Sequence, residues 1–193
     1  SGEIERIAAF CGQSQVIVCG STWPADEEIL FNHIHAETDD WKWIIVPHEI
    51  GEQHIQEILR RGKEDIVRYS GDEELTGKKI LVLDRIGFLS SVYRYGRIAY
   101  IGGGFGSGIH NTLEAAVYGM PVIFGPHYRK FREAVELLER GGAFTISDST
   151  GFSEVVSILK TQPAILETAG RQAGNYVRSK AGATARIISQ LMK

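Results

Sequence analysis

Short apolar runs alternate with segments of helical period along most of this chain. Val16-Ile17-Val18-Cys19, Trp43-Ile44-Ile45-Val46, Ile66-Val67-Arg68-Tyr69, Ile80-Leu81-Val82-Leu83, Ile98-Ala99-Tyr100-Ile101 and Val122-Ile123-Phe124 read as six strands. Several are apolar at successive positions, as strands covered on both faces are. Between them the pattern predicts helices at about 24–36, 50–62, 86–94, 110–119 and 128–140, each ended by Gly, a turn or a polar cluster. This alternation argues for a doubly wound α/β domain, a Rossmann-like parallel sheet of about six strands. Ala143-Phe144-Thr145-Ile146 adds a last short strand, after which Phe152–Leu159 and Ala164–Leu191 read as helical, the second broken near Lys180-Ala181-Gly182. The apolar positions of this tail, Ile165, Tyr176, Val177, Ile187, Ile188 and Leu191, read as packing surface.

A chain of 193 residues can bury a core of its own, and no repeat or low-complexity linker divides it. Residues 1–193 are therefore expected to form a single domain, with C-terminal helices over about 151–193. The net charge of −3 argues against a surface that grips many phosphates, so nucleic acid is excluded as the expected partner. No apolar run is long enough to cross a bilayer, and the charged start at Ser1-Gly2-Glu3 does not resemble a secretory signal. Cys11 and Cys19 lack metal or redox spacing and read as structural thiols of a reducing compartment. His48 and His54 are six apart and do not make His-Glu-x-x-His, so no zinc site is expected.

The richest segment runs from Tyr100 to Ala116, where a strand leads into Gly102, Gly103, Gly104, Gly106 and Gly108 and then a helix. Side chains are missing where the chain leaves the strand, which opens the backbone to a ligand. Amides near His110, Asn111 and Thr112 at the start of the expected helix suit an anion such as phosphate. Neither G-x-G-x-x-G nor a P-loop fits, because Ser107 and Ile109 stand where glycine would be needed and no Lys follows. Glu114 lies one turn further on. Its carboxylate suits a ribose diol, or else it is an acid favoured by the helix start. Gly20-Ser21-Thr22, before Asp26-Glu27-Glu28, offers a second phosphate or sugar contact, or a simple N-cap. Pro47-His48-Glu49, Asp84-Arg85-Ile86-Gly87 and Gly125-Pro126-His127-Tyr128-Arg129-Lys130 follow three other strands. All five loops fall at strand carboxyl ends, where open α/β sheets bind ligands.

Taken together these residues resemble a known family. Gly20-Ser21-Thr22 with acids following, Val46-Pro47-His48, Asp84 with Gly87 and Leu89, Tyr93, the run from Gly102 through His110-Asn111-Thr112-Leu113-Glu114, and Gly125-Pro126-His127 with Phe131 resemble the C-terminal domain of bacterial 3-deoxy-D-manno-octulosonic acid (Kdo) transferases. The likeness covers nearly the whole chain. It implies half of a B-type glycosyltransferase (GT-B) fold, with CMP-Kdo as donor and a lipid A precursor reached through an N-terminal domain absent here. It also implies an inverting transfer in lipopolysaccharide synthesis, no required metal or other cofactor, and a place on the cytoplasmic side of the bacterial inner membrane, with membrane contact only through the absent half. The donor site so implied takes Glu114 for the ribose, Ser21, Thr22 and the Gly108–Asn111 segment for the phosphate, and Pro47, His48, Asp84 and Gly87 for the cytidine. Gly104, Gly106, Thr112 and His127 complete it, and the catalytic base belongs to the N-terminal domain. Two positions depart from the family: Pro47 directly precedes His48 where an Arg often intervenes, and Phe88 stands where an acid is usual. A UDP-sugar transferase or epimerase of the same fold, and a non-catalytic nucleotide-binding module, remain as alternatives.

Overall fold

The computed structural model describes residues 2–191, with side chains for 5–181. Among these residues seven strands form one parallel sheet. They are β1 (Val16–Thr22), β2 (Lys42–Pro47), β3 (Ile66–Arg68), β4 (Ile80–Val82), β5 (Ile98–Ile101), β6 (Val122–Phe124) and β7 (Ala143–Thr145), in the spatial order β3-β4-β2-β1-β5-β6-β7. The six expected strands are present, and the short run at Ala143 joins the sheet as a seventh.

Side chains alternate between two cores. Val18, Ile44, Leu81, Ala99 and Val122 point to one face, whereas Ile17, Trp43, Ile45, Val82, Tyr100 and Ile123 point to the other. Successive residues of each strand are therefore all buried, which is why the strands read as continuous apolar runs. The second face is covered by α2 (Pro24–Ala36), α3 (Glu52–Gly62) and α7 (Ser149–Thr161), through Leu30, Phe31, Ile55, Ile58, Phe152 and Leu159. The first is covered by α1 (Gly2–Cys11), α4 (Leu89–Val92), α5 (Leu113–Ala116), α6 (Arg132–Glu139) and α8 (Pro163–Leu191), through Phe10, Val92, Ala115, Leu137 and Tyr176.

The structure departs from the expected elements at several places. The helix α1 has no counterpart in the sequence reading, because Glu3, Glu5 and Arg6 mask the stripe of Ile7, Phe10 and Cys11 that it buries. The helix expected over 110–119 shrinks to the four residues of α5, because Gly103 O and Gly102 O capture the amides of Gly108 and His110 and hold the chain in a loop. The helix expected over 128–140 begins only at Arg132, after a turn closed by Phe131 N–H to Tyr128 O at 2.8 Å. α8 runs through Lys180-Ala181-Gly182 without the expected break. Tyr176 is buried and Val177 packs against the core, whereas Ile165 is exposed; Ile187, Ile188 and Leu191 fall outside the described side chains. Cys11 and Cys19 are both buried free thiols, and burial pushes the Cys11 pKa up to about 11. No described helix is long and apolar enough to cross a membrane.

Candidate functional site

The strand order reverses between β1 and β5. On one side of β1 the chain passes through β2 to the edge strand β3 and returns to β4 between them, whereas from β5 it moves outward through β6 to β7 on the other side. At such a switch point the loops leaving the two strands diverge and open a crevice. The crevice here lies between Trp23–Asp26, just past β1, and Gly103–Ser107, after β5.

Backbone contacts between the two loops explain most of the glycines. Gly102 N–H donates to Gly20 O at 2.9 Å, and a Cβ on Gly102 would stand 2.2 Å from Ser21 O. A Cβ on Gly104 would stand 2.6 Å from Gly125 N, so Gly104 and Gly125 let the β5 and β6 loops pack backbone to backbone. The expectation that these glycines clear the way for a ligand is thus corrected for Gly102 and Gly104: the space they leave is filled by the protein's own chain. Gly108, at φ +138°, lies against the Phe131 ring. Gly106 meets nothing closer than 3.7 Å and is the open glycine of the run. It lines two cavities with Ser107. One, of about 390 Å³, is bordered by Trp23, Asp26, Gly103 and Phe105. The other, of about 410 Å³, is bordered by Pro126, His127, Arg129 and Lys130.

The loops are held by a carboxylate that the sequence reading left among the helix-start acids. Asp26, 1% exposed, accepts from Tyr100 O–H at 2.6 Å, from Gly103 N–H at 2.9 Å and from Trp23 N–H at 2.9 Å. One side chain near the start of α2 thereby ties β5, the glycine loop and the β1 loop together, through charge-assisted bonds in a buried setting. Burial and the neighbouring Asp26 push the Tyr100 hydroxyl pKa well above its ordinary value, so the phenol stays a donor.

Trp23 was also missed. Its ring stacks on His48 at 4.6 Å between centroids, and His48 stacks on His110 at 4.4 Å. Trp23 Nε1–H donates to His110 Nε2 at 3.1 Å. Residues 23, 48 and 110 come from three different loops and meet only in the fold. Burial first, and then the nearby His48, lower the His110 pKa, so the ring is disposed to be neutral.

Further along, Asn111 Nδ2–H donates to Glu114 Oε1 at 3.0 Å and Leu113 N–H donates to Asn111 Oδ1 at 3.0 Å, which seats Glu114 in the first turn of α5. His110, Asn111 and Thr112 line a third cavity of about 330 Å³ with Phe131 and Glu133. The Thr112 side chain itself is buried. His127 N–H donates to Gly104 O at 2.9 Å, and His127 Nδ1 lies 2.7 Å from Gly106 O, which fixes the β6 loop against the glycine run.

Other expected site residues point inward. Thr22 is fully buried and its hydroxyl donates to Glu27 Oε1 at 3.0 Å, while Glu27 Oε2 lies 2.8 Å from His54 Nε2. Asp84 accepts from Ser70 N–H at 3.0 Å, from the Ser70 hydroxyl and from Arg68. Its burial would raise its pKa, but these bonds outweigh that and lower it. Ser21 sits at φ +54° in a bulge of β1, where only tertiary packing holds a residue with a side chain. Pro47 closes β2 with its ring buried, and His48 N–H donates to Thr22 O at 2.9 Å. Gly87, at φ +89°, lies in open space beside Ile86, which is 82% exposed. No group of three or more His, Cys, Asp or Glu among the described residues is arranged to hold a metal ion.

No protein-family profile matches the chain. The 3-deoxy-D-manno-octulosonic acid transferase of Aquifex aeolicus is 35% identical over 157 residues, which covers 77% of this chain and 44% of that protein. The chain thus spans less than half the length of this curated relative. Among solved structures, the C-terminal CMP-Kdo binding domain of WaaA from Acinetobacter baumannii superposes with a TM-score of 0.73 at 22% identity, over 91% of this chain and 98% of that one. Anabaena HepE, solved with UDP, superposes with a TM-score of 0.69 at 15% identity, over 97% of this chain and 52% of that one. By its fold and by its sequence relatives, this chain belongs to the Kdo transferase family, as a C-terminal domain of the GT-B fold.

Proposed function

We propose that this domain binds CMP-Kdo, and that the whole protein transfers Kdo from it to a lipid A precursor in lipopolysaccharide synthesis. The observation that carries the reading is the set of cavities at the carboxyl ends of β5 and β6: the basic His127–Lys130 segment faces Gly106 and Ser107 across one, His110 and Asn111 line another, and Asn111 holds Glu114 beside it. In this proposal Glu114 accepts from the ribose hydroxyls, with Asn111 keeping its carboxylate in place. The phosphate lies by His110, the open backbone at Gly106 and Ser107, and the Ser21 corner. His48 and Gly87 flank the base, with Pro47 and Asp84 as supports of their loops.

α5 is too short to carry much of a helix dipole, so stabilisation of the departing phosphate falls to individual donors such as His110 and to the positive charge of Arg129 and Lys130. Donors of this kind contribute on the order of 3 kcal/mol each when well placed. The proposal gives no role to a metal or other cofactor. The acceptor, the catalytic base that makes the transfer inverting, and any contact with the cytoplasmic face of the inner membrane belong to an N-terminal domain of the whole protein. Residues 1–193 are taken as one donor-binding domain.

Calorimetric titration tests this. CMP should bind the wild-type chain, and Glu114→Ala should abolish the heat; binding unchanged in Glu114→Ala would remove Glu114 from the ribose site. The fold shared with UDP-bound HepE favours a UDP-sugar as the second reading. UMP displacing CMP at equal concentration would select it.

A further inference from the structure

We infer that Trp23 is a positioning residue that fixes the proton of His110 on Nδ1 and turns that N–H outward, as a donor for the anion bound beside the β5 loop. The assignment of the anion rests on the nucleotide reading above; the assignment of the proton does not.

The direction of the Trp23–His110 bond is not open to choice. An indole N–H can only donate, so His110 Nε2 must offer its lone pair across the 3.1 Å contact. A neutral imidazole with an acceptor at Nε2 carries its proton on Nδ1, and a doubly protonated ring cannot keep this bond. The neighbouring Cδ2 edge faces the Gly103 turn, where a Cβ would stand 3.2 Å from it. The Nε2 and Cδ2 side of the ring is thus enclosed, and Nδ1 lies on the outer side. Among the described residues Nδ1 makes no hydrogen bond and is not among the fully buried nitrogens without a partner, and His110 lines a surface cavity, so Nδ1 is not sealed from solvent.

Trp23 is itself held at both ends. Its backbone N–H is bonded to Asp26 and its ring is stacked on His48, which in turn stacks on His110. The groups facing His110 are therefore Trp23 from the β1 loop, His48 from the β2 loop, and Gly103 with Asp26 behind it. Burial and His48 both disfavour the charged ring, in keeping with a neutral donor. A donor whose tautomer and orientation are set before the ligand arrives loses less freedom on binding.

The test uses the 193-residue chain with ¹⁵N-labelled histidine and the Trp23→Phe variant, which keeps an aromatic ring for His48 and removes the N–H. In the wild type at a pH where the ring is neutral, His110 should show a protonated Nδ1 and an unprotonated Nε2. In Trp23→Phe the proton should redistribute toward Nε2. CMP affinity should fall about 3- to 10-fold in Trp23→Phe, the scale of one neutral hydrogen bond. His110→Ala should weaken CMP binding at least as much, and adding Trp23→Phe to His110→Ala should lower it no further. Nε2 protonated in the wild type, or a tautomer unchanged in Trp23→Phe, overturns the inference, as does full additivity of the two substitutions. Failure of the wild type to bind CMP, with the Nδ1 proton in place, instead overturns the nucleotide reading and leaves the proton assignment standing.

Discussion

Asp26→Leu is the sharpest perturbation of the crevice, because it removes one acceptor on which two loops and a strand depend. Three donors lose their partner: the Tyr100 hydroxyl, on a fully buried residue, and the N–H groups of Gly103 and Trp23. A buried donor left unsatisfied costs roughly 1–3 kcal/mol, so the three together amount to about 3–9 kcal/mol, toward the lower end because the Trp23 N–H is only partly buried. That is a large part of the roughly 5–15 kcal/mol that holds a domain of this kind folded. Asp26→Asn provides the graded comparison. Both backbone N–H groups share Oδ2, which an amide oxygen can replace, while the amide nitrogen can donate to Tyr100 and turn the hydroxyl around. The expected loss is about 1–2 kcal/mol. Urea denaturation with both midpoint and slope recorded distinguishes the two, since a loss of native contacts shifts the midpoint at constant slope. If Asp26→Leu lies within about 1 kcal/mol of the wild type, or is no worse than Asp26→Asn, then Asp26 does not organise the loops and the account of the crevice fails.

Other outcomes follow from the same contacts. Gly104→Ala forces a Cβ against the Gly125 backbone at 2.6 Å and should destabilise by about 1–3 kcal/mol, whereas Gly106→Ala, with nothing closer than 3.7 Å, should stay within about 0.5 kcal/mol by the same denaturation measurement. Thr22→Val leaves Glu27 without its hydroxyl partner and should lower stability by about 1–3 kcal/mol while CMP affinity, read by calorimetry, changes less than about two-fold. Glu37 joins α2 to α7 by contacts to His33 and Lys160; its burial alone would raise its pKa, but these partners bring it from 4.5 down to about 2. A depressed carboxylate stabilises above its unfolded pKa, so this contribution is complete above about pH 5 and is lost as pH falls from 4.5 toward 2. Glu37→Gln should therefore flatten that part of the stability profile by on the order of 2 kcal/mol, and an acid limb of unchanged steepness would rule the linkage out.

What the sequence by itself determined is the architecture: continuous apolar runs of about four residues suit strands buried on both faces, and their alternation with helical periods argues for a doubly wound parallel sheet. The same local logic located five loops at the strand carboxyl ends and singled out His48, His110, Asn111, Glu114 and His127. Local patterns stop where the partner of a residue lies far along the chain. Nothing near Gly104 says that its hydrogen faces Gly125, and nothing near Asp84 says that Arg68 and Ser70 satisfy it. Trp23 and Asp26 look like the start of an ordinary helix until β5 brings Tyr100, Gly103 and His110 against them. Even the extent of α5 was decided from a distance, since the amides that would have begun an earlier helix turn back to Gly102 and Gly103. Periodicity follows from the burial of whole faces and can be read along a chain. Which polar atom meets which depends on the packing of the sheet, and only the tertiary structure decides it.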